Sequence, residues 1–260
     1  ASLEKAEKAE QLAAQVEGLF YQVRWEAQLV SPASSEQGRW LIVGGATEMR
    51  ATLAEQLTQR GEQVEALSAA AAFSRLQDDS VRWRGVLYLG GTDQPAGAAN
   101  LLQSQQARLG DLLTLLQVLA NRPQKRPRLW VVTQQAQALS AADPVDPAQS
   151  TLWGLGRVIA LEHSDLWGGL VDLDGSSEAA AQLLAAELLA ERAGQESQVA
   201  YRRSVRHVAR LVRGQPEPAR PVSIDPSASY LVTGGLGALG LQVATWLGNQ
   251  GATRLVLTGR

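Results

Sequence analysis

An alternation constrains this chain more than any single motif does. Short, nearly continuous apolar runs recur between Arg39 and Asp174, interleaved with stretches of helical spacing. The runs include "RWLIVGG", "GVLYLGG", "RLWVVT" and "GGLVDLD", and the helical stretches include "NLLQSQQARLGDLLTLLQVLA" and "SEAAAQLLAAELLAER". A strand that is apolar at every position has no water-facing side and needs cover on both faces. Such strands separated by helices predict an α/β domain with a doubly wound, Rossmann-like parallel sheet. Met49, Leu53 and Leu57, spaced four apart, mark the inner face of the first helix. "LFYQVRWEAQL" leads in as an alternating strand, and "QVAYRRSVRHVARLV" closes the region as extended chain bent near Ser204.

"RGQPEPARPVSIDPSAS" follows, with Pro216, Pro218, Pro221 and Pro226 and no apolar period, and reads as a connector. The same pattern then restarts. "YLVTGG" is a strand, "LGALGLQVATWLGNQG" a helix and "RLVLTG" the next strand. The two openings, "WLIVGGATEM" and "YLVTGGLGALG", predict two related Rossmann-like units, the second represented by its first βαβ element. The resulting divisions are 1–18 as a linker or docking helix, 19–213 as the first unit, 214–229 as the connector and 230–260 as the start of the second unit.

Gly235, Gly237 and Gly240 form G-x-G-x-x-G between a strand and a helix. In that setting Gly235 is expected to permit the tight turn and Gly237 to let a pyrophosphate approach the backbone. Gly240 then allows close helix–strand packing. The helix N-terminus offers free N–H groups and the positive end of its dipole to the phosphates. NAD-binding units place an acidic residue after the second strand to bond the ribose 2′-hydroxyl. Here Arg260 follows "RLVLTG", and a guanidinium in that place pairs with a 2′-phosphate, which favours NADPH. The first opening keeps Gly44 and Gly45, but Thr47, Glu48 and Met49 stand where further glycines are needed, and Glu48 repels phosphate. No dinucleotide is expected there.

Composition removes other classes. There is no cysteine, and His163 and His207 are the only histidines, so neither a metal centre nor a cysteine or histidine triad is expected. A net charge of -2 gives no footprint for nucleic acid or an anionic membrane. The charged N-terminus "ASLEKAEKAE" lacks a signal core, and a cytoplasmic protein is expected. His163 reads as a helix-end residue, Trp153 and Trp167 as packing residues, and Asp172 and Asp174 as loop-capping groups. Arg202, Arg203, Arg206, Arg210 and Arg213 read either as a solvated strand face or as a contact for an acidic partner.

"YLVTGGLGALG" followed by "RLVLTGR" resembles the start of the catalytic half of a ketoreductase from a modular polyketide synthase, a short-chain dehydrogenase/reductase relative. "STLWGLGRVIALEHSDLWGGLVDLD" and "LFYQVRWEAQL" are similar to stretches of that family's structural half. The resemblance implies a cofactor-free structural subdomain bracing a catalytic one. The catalytic subdomain would use NADPH to reduce a β-ketoacyl chain carried on the phosphopantetheine arm of an acyl carrier protein, among neighbouring synthase domains. It implies that Thr233, Gly234, Gly235, Leu236, Gly237, Ala238, Leu239 and Gly240 line the pyrophosphate and that Arg260 holds the 2′-phosphate. The family's chemistry needs a tyrosine with a lysine four residues on. Lys5, Lys8 and Lys125 are the only lysines, and none satisfies that spacing, so the catalytic set is expected in chain beyond these residues. The alternative is a non-catalytic scaffold that organises neighbouring synthase domains.

Overall fold

The computed structural model describes residues 19–91, 101–123, 126–175, 177–191, 193–214 and 222–259. The expected N-terminal helix 1–18, the connector residues 215–221 and Arg260 lie outside the described residues. The chain divides into two compact units, one spanning Gln22–Val212 and the other containing the C-terminal segment from Arg213.

The larger unit is built on one sheet. Its strands are β1 (Tyr21–Ala27), β2 (Arg39–Val43), β3 (Gln63–Leu67), β4 (Gly85–Gly91), β5 (Arg128–Gln134), β6 (Trp167–Leu173), β7 (Gln198–Arg202) and β8 (Val205–Arg213). They lie in the order β1-β8-β7-β6-β5-β4-β2-β3. Pairing is parallel from β3 through β2, β4, β5 and β6 to β7. The doubly wound expectation therefore holds over the apolar runs. The next pair departs from it: β7 and β8 are antiparallel, joined through Arg203 (φ 49°) and Ser204 (φ 63°). Two successive left-handed residues make the tight turn that suits a twisted hairpin. Asp174 steadies it by accepting the Arg203 N–H at 2.6 Å.

Helices cover both faces. They are α1 (Thr47–Thr58), α2 (Ala69–Leu76), α3 (Leu101–Ala120), α4 (Ser150–Glu162) and α5 (Glu178–Leu189). Alternation along each strand divides the core. Leu41, Val43 and Val131 pack with Ala72, Leu112, Leu115 and Trp153 of α2, α3 and α4 on one face. Ile42, Trp130 and Val132 pack with Met49, Leu53, Leu57 and Leu184 of α1 and α5 on the other. Local chemistry starts these helices where the sequence punctuates them. Ser68 Oγ accepts the Ala71 N–H at the head of α2, Ser177 Oγ accepts that of Ala180 in α5, and Asp146 caps the short turn that leads into α4.

The C-terminal unit contains β9 (Ser229–Thr233), α6 (Ala238–Asn249) and β10 (Arg254–Thr258). The two strands pair in parallel, with Leu231 opposite Val256. On one face Tyr230, Val232, Leu255 and Leu257 are half-buried, while Leu231 and Val256 on the other face are 64% and 51% exposed. Among the described residues, Ala244 is the only fully buried side chain of α6. No helix among the described residues is long and apolar enough to cross a membrane.

Candidate cofactor-binding turn

The turn from β9 into α6 occupies Gly234 to Gly237. Its left-handed residue is Gly234 (φ 69°), not Gly235, where the sequence pattern places the tight turn. Gly235 is required for a different reason. It is buried, its N–H donates to Thr258 O at 2.8 Å, and a Cβ there would sit 2.7 Å from Val232 O and 2.9 Å from Leu257 Cβ. Gly237 donates to Gly234 O at 3.1 Å and closes the turn. Its own side is open, because a Cβ there would meet only Gly234 O, at 3.4 Å. Gly240 is the most confined: a Cβ there would lie 2.6 Å from Gly235 Cα and even closer to Gly234 O. The expected close packing at Gly240 is thus helix against turn backbone.

The helix head that results is unsatisfied. Leu241 N–H, bonded to Gly237 O at 3.0 Å, is the first amide of α6 with an intrahelical acceptor. The amides of Ala238, Leu239 and Gly240 have no acceptor among the described residues, and Gly237 provides no side-chain cap. Three unpaired amides at the positive end of a helix dipole favour an anion. Thr233 and Leu236 stand exposed at the two sides of the turn, and Leu239 is 75% exposed. Sequence reasoning missed one supporting signal that was open to it: from Pro226 to Arg260 the chain contains no Asp or Glu. The turn therefore carries no local carboxylate to oppose phosphate. These residues fit a dinucleotide pyrophosphate.

The other candidates resolve into structure. Asp172 is fully buried and accepts from Thr133 Oγ1 at 2.6 Å, Ala136 N at 2.8 Å, Gln137 N at 3.2 Å and Arg202 Nη2 at 2.5 Å. It holds the loop after β5, as a capping carboxylate does. Trp153 joins the same network by donating its Nε1–H to Thr133 Oγ1 at 2.8 Å, and both Trp153 and Trp167 are buried. His163 forms the C-cap of α4 and His207 lies in β8. Among the described residues no group of side chains could hold a metal ion.

Of the five arginines near β8, Arg203 and Arg213 are exposed, and the other three match neither reading offered for them. Arg202 pairs with Asp172, Arg206 with Glu187 at 2.6 Å and Arg210 with Glu196 at 2.6 Å. The Arg210 guanidinium holds the Glu196 carboxyl below its ordinary range. Burial raises the Tyr201 hydroxyl far above the usual phenol range, and the Glu187 carboxylate to which it donates at 2.8 Å adds to that shift. Arg202 and Arg206 spend their charges on buried carboxylates, while the Arg210 pair is partly exposed.

Fold and turn together define a class: a Rossmann-like sheet followed by a second strand–glycine turn–helix–strand unit. The family description "Polyketide synthase extender module SpnB, Rossmann fold domain" matches residues 23–211, and "KR domain" matches residues 228–260. The chain belongs to the ketoreductase region of modular polyketide synthases, within the short-chain dehydrogenase/reductase superfamily. It is 36% identical over 242 residues to the pikromycin polyketide synthase component PikAIII of Streptomyces venezuelae, covering 92% of this chain and 15% of that protein. It is 38% identical over 247 residues to the erythronolide synthase EryA3 of Saccharopolyspora erythraea, covering 92% of this chain and 7% of that one. A solved C2-type ketoreductase from a modular polyketide synthase superposes with a TM-score of 0.72 at 32% identity, over 93% of this chain and 53% of that one. The chain thus spans about half of the solved ketoreductase and a small part of each synthase.

Proposed function

We propose that this chain supplies the structural half and the first cofactor-binding element of an NADPH-dependent β-ketoacyl reductase. Its substrate is a β-ketoacyl chain on the phosphopantetheine arm of an acyl carrier protein, and its product is the β-hydroxyacyl chain. The observation that carries this reading is the head of α6, with three unpaired amides beside the open side of Gly237. The residues from Thr233 to Gly240 receive the pyrophosphate, and Arg260 pairs with the 2′-phosphate. Bound NADPH supplies the hydride. The backbone of the turn binds and orients, and Gly240 keeps the helix seated close enough for its amides to reach the phosphates.

The proton comes from elsewhere. Tyr21, Tyr88, Tyr201 and Tyr230 are the only tyrosines, and none has a lysine four residues on. Tyr201 is further disqualified by its buried bond to Glu187, which holds its proton. A proton donor in chain outside these residues fits both facts, and this stretch alone is then inactive. Neighbouring synthase domains are its partners and the cytoplasm its compartment. A pure scaffold would have no use for an uncapped helix head free of carboxylates.

The test is a fluorescence titration of NADPH against this chain and against a longer one that carries a tyrosine–lysine pair. Saturable enhancement, weaker for NADH and evened out by Arg260→Ala, is the expected result. Failure of both chains to bind overturns the cofactor assignment. Turnover of a β-ketothioester by the 260-residue chain alone overturns the placement of the proton donor.

A further inference from the structure

A second basic feature lies in the Gln22–Val212 unit, at the starting ends of β2, β4 and β5. A groove of about 950 Å³ opens there, lined by six arginines and three carboxylates (Glu36, Asp165 and Glu191). Three of the arginines are occupied, Arg122 among them by the Val81 carbonyl at 3.0 Å and the Asp79 carboxylate at 3.5 Å. Arg84 donates to the buried Glu62 carboxylate at 3.0 Å and lies over the Trp40 ring, while Arg39 donates to Gln63 Oε1 at 2.7 Å. Arg126 meets Asp165 at 3.0 Å, an exposed pair that water screens. The exposed Arg82 has no partner among the described residues, and Arg128 reaches only the Ala193 carbonyl, at 3.3 Å.

A second observation comes from buried donors. Arg122 and Trp83 both line the groove, and each is only 6% exposed. Arg122 Nε and Trp83 Nε1 have no hydrogen-bond partner among the described residues. Buried donors are seldom left unpaired, so two of them on one groove point to an acceptor that enters it. The groove offers little exposed apolar surface: its tryptophans and Leu188 are buried, and Pro123 is the exposed apolar residue on its lining. An amphipathic helix would find no apolar stripe to bury, which favours a ligand held by charge and hydrogen bonds.

We propose that this groove binds a small anion bearing two or more linked phosphate groups. Gly85 of β4 pairs with Arg128 of β5, so the segment carrying Arg82 and the Arg128 position approach along adjacent strands. Arg82 precedes β4 by three residues, so the two guanidiniums reach the groove from different elements, and one ligand that meets both needs more than one anionic group. Guanidinium forks match phosphate oxygens two at a time. All the residues lining the groove belong to the Gln22–Val212 unit.

Calorimetric titration at constant ionic strength tests it, with inorganic pyrophosphate, tripolyphosphate and ADP as probes. Saturable binding is expected, weakened at least about tenfold in the double variant Arg82→Ser/Arg128→Ser, since each charge-assisted contact is strong. Both side chains are exposed and hold no carboxylate, and an unchanged urea midpoint shows that the variant is folded. Equal affinity for pyrophosphate and ADP assigns the site to the phosphates alone, and tighter ADP binding assigns it to a nucleoside-linked diphosphate. No saturable heat with any probe, unchanged affinity in the folded variant, or tighter binding of hexaglutamate than of tripolyphosphate overturns the proposal.

Discussion

The chain makes the same passage twice, from strand through glycines into helix, and the two passages differ in small ways with large consequences. After β2 it reaches α1 through Gly44, Gly45 and Ala46, with both glycines left-handed at φ 68° and 79°. After β9 it reaches α6 through Gly234, Leu236 and the two glycines Gly235 and Gly237, with Gly234 the only left-handed residue, at φ 69°. The first turn is one residue shorter. Each ties back to its neighbouring strand, through Gly44 N–H to Leu67 O at 3.1 Å and Gly235 N–H to Thr258 O at 2.8 Å. Beyond that the helices diverge. The second helical position is Glu48 in α1 and Leu239 in α6; the third is the buried Met49 in α1 and the confined Gly240 in α6. One skeleton anchors a core through Met49, and the other brings bare amides against a turn.

The largest contrast should appear in stability. Leu53 of α1 is fully buried, and Leu53→Ala should cost about 2–5 kcal/mol through lost transfer energy and a residual cavity. Leu241 of α6 is 49% exposed, so Leu241→Ala should cost about 0.5 kcal/mol or less. Urea unfolding of both variants measures the difference. A loss at Leu241 approaching that at Leu53 would show α6 to be covered in solution and would break the contrast.

Next comes the turn itself. Gly240→Ala places a Cβ 2.6 Å from Gly235 Cα, with backbone on the far side that cannot rotate away. The helix must lift from the turn and carry its amides off the phosphates. NADPH affinity should fall about a hundredfold, equivalent to about 2.7 kcal/mol. Gly237→Ala, whose Cβ has room at 3.4 Å from Gly234 O, should leave the turn intact and reduce affinity less, by intruding on the ligand's side alone. Equal losses for the two would mean that helix seating is not what Gly240 provides.

Much of this was legible beforehand because it is local or periodic. Apolar runs mark strands covered on both faces, and the fourfold spacing of Met49, Leu53 and Leu57 marks the buried side of α1. Asp172 and Asp174 sit where strands end, and both cap loops. What escaped depends on distance in the chain. Arg206 and Arg210 look like a solvated row until α5 and the loop before β7 bring Glu187 and Glu196 to them. Nor does the pattern of β9 and β10 reveal exposure. Leu231 and Val256 are as apolar as their neighbours, yet they are 64% and 51% exposed. The motif places the tight turn at Gly235, while the left-handed residue is one position earlier, at Gly234.

The smallest effect tests which difference silences the first opening. Glu48 is exposed in the first turn of α1, where its charge favours the helix dipole and would oppose a phosphate. Glu48→Gln removes both influences while keeping the side chain's size. Urea unfolding should show a loss of about 0.3–1 kcal/mol, the usual worth of a charge at a helix end. If turn length and the buried Met49 decide the matter, the variant gains no second NADPH site, and the stoichiometry of titration stays unchanged. If a second equivalent of NADPH binds, charge alone had closed the first opening, and the missing turn residue is incidental. The geometry favours the former. The first turn is short by the residue that Gly237 supplies in the second, and removing a charge cannot replace a missing stretch of backbone.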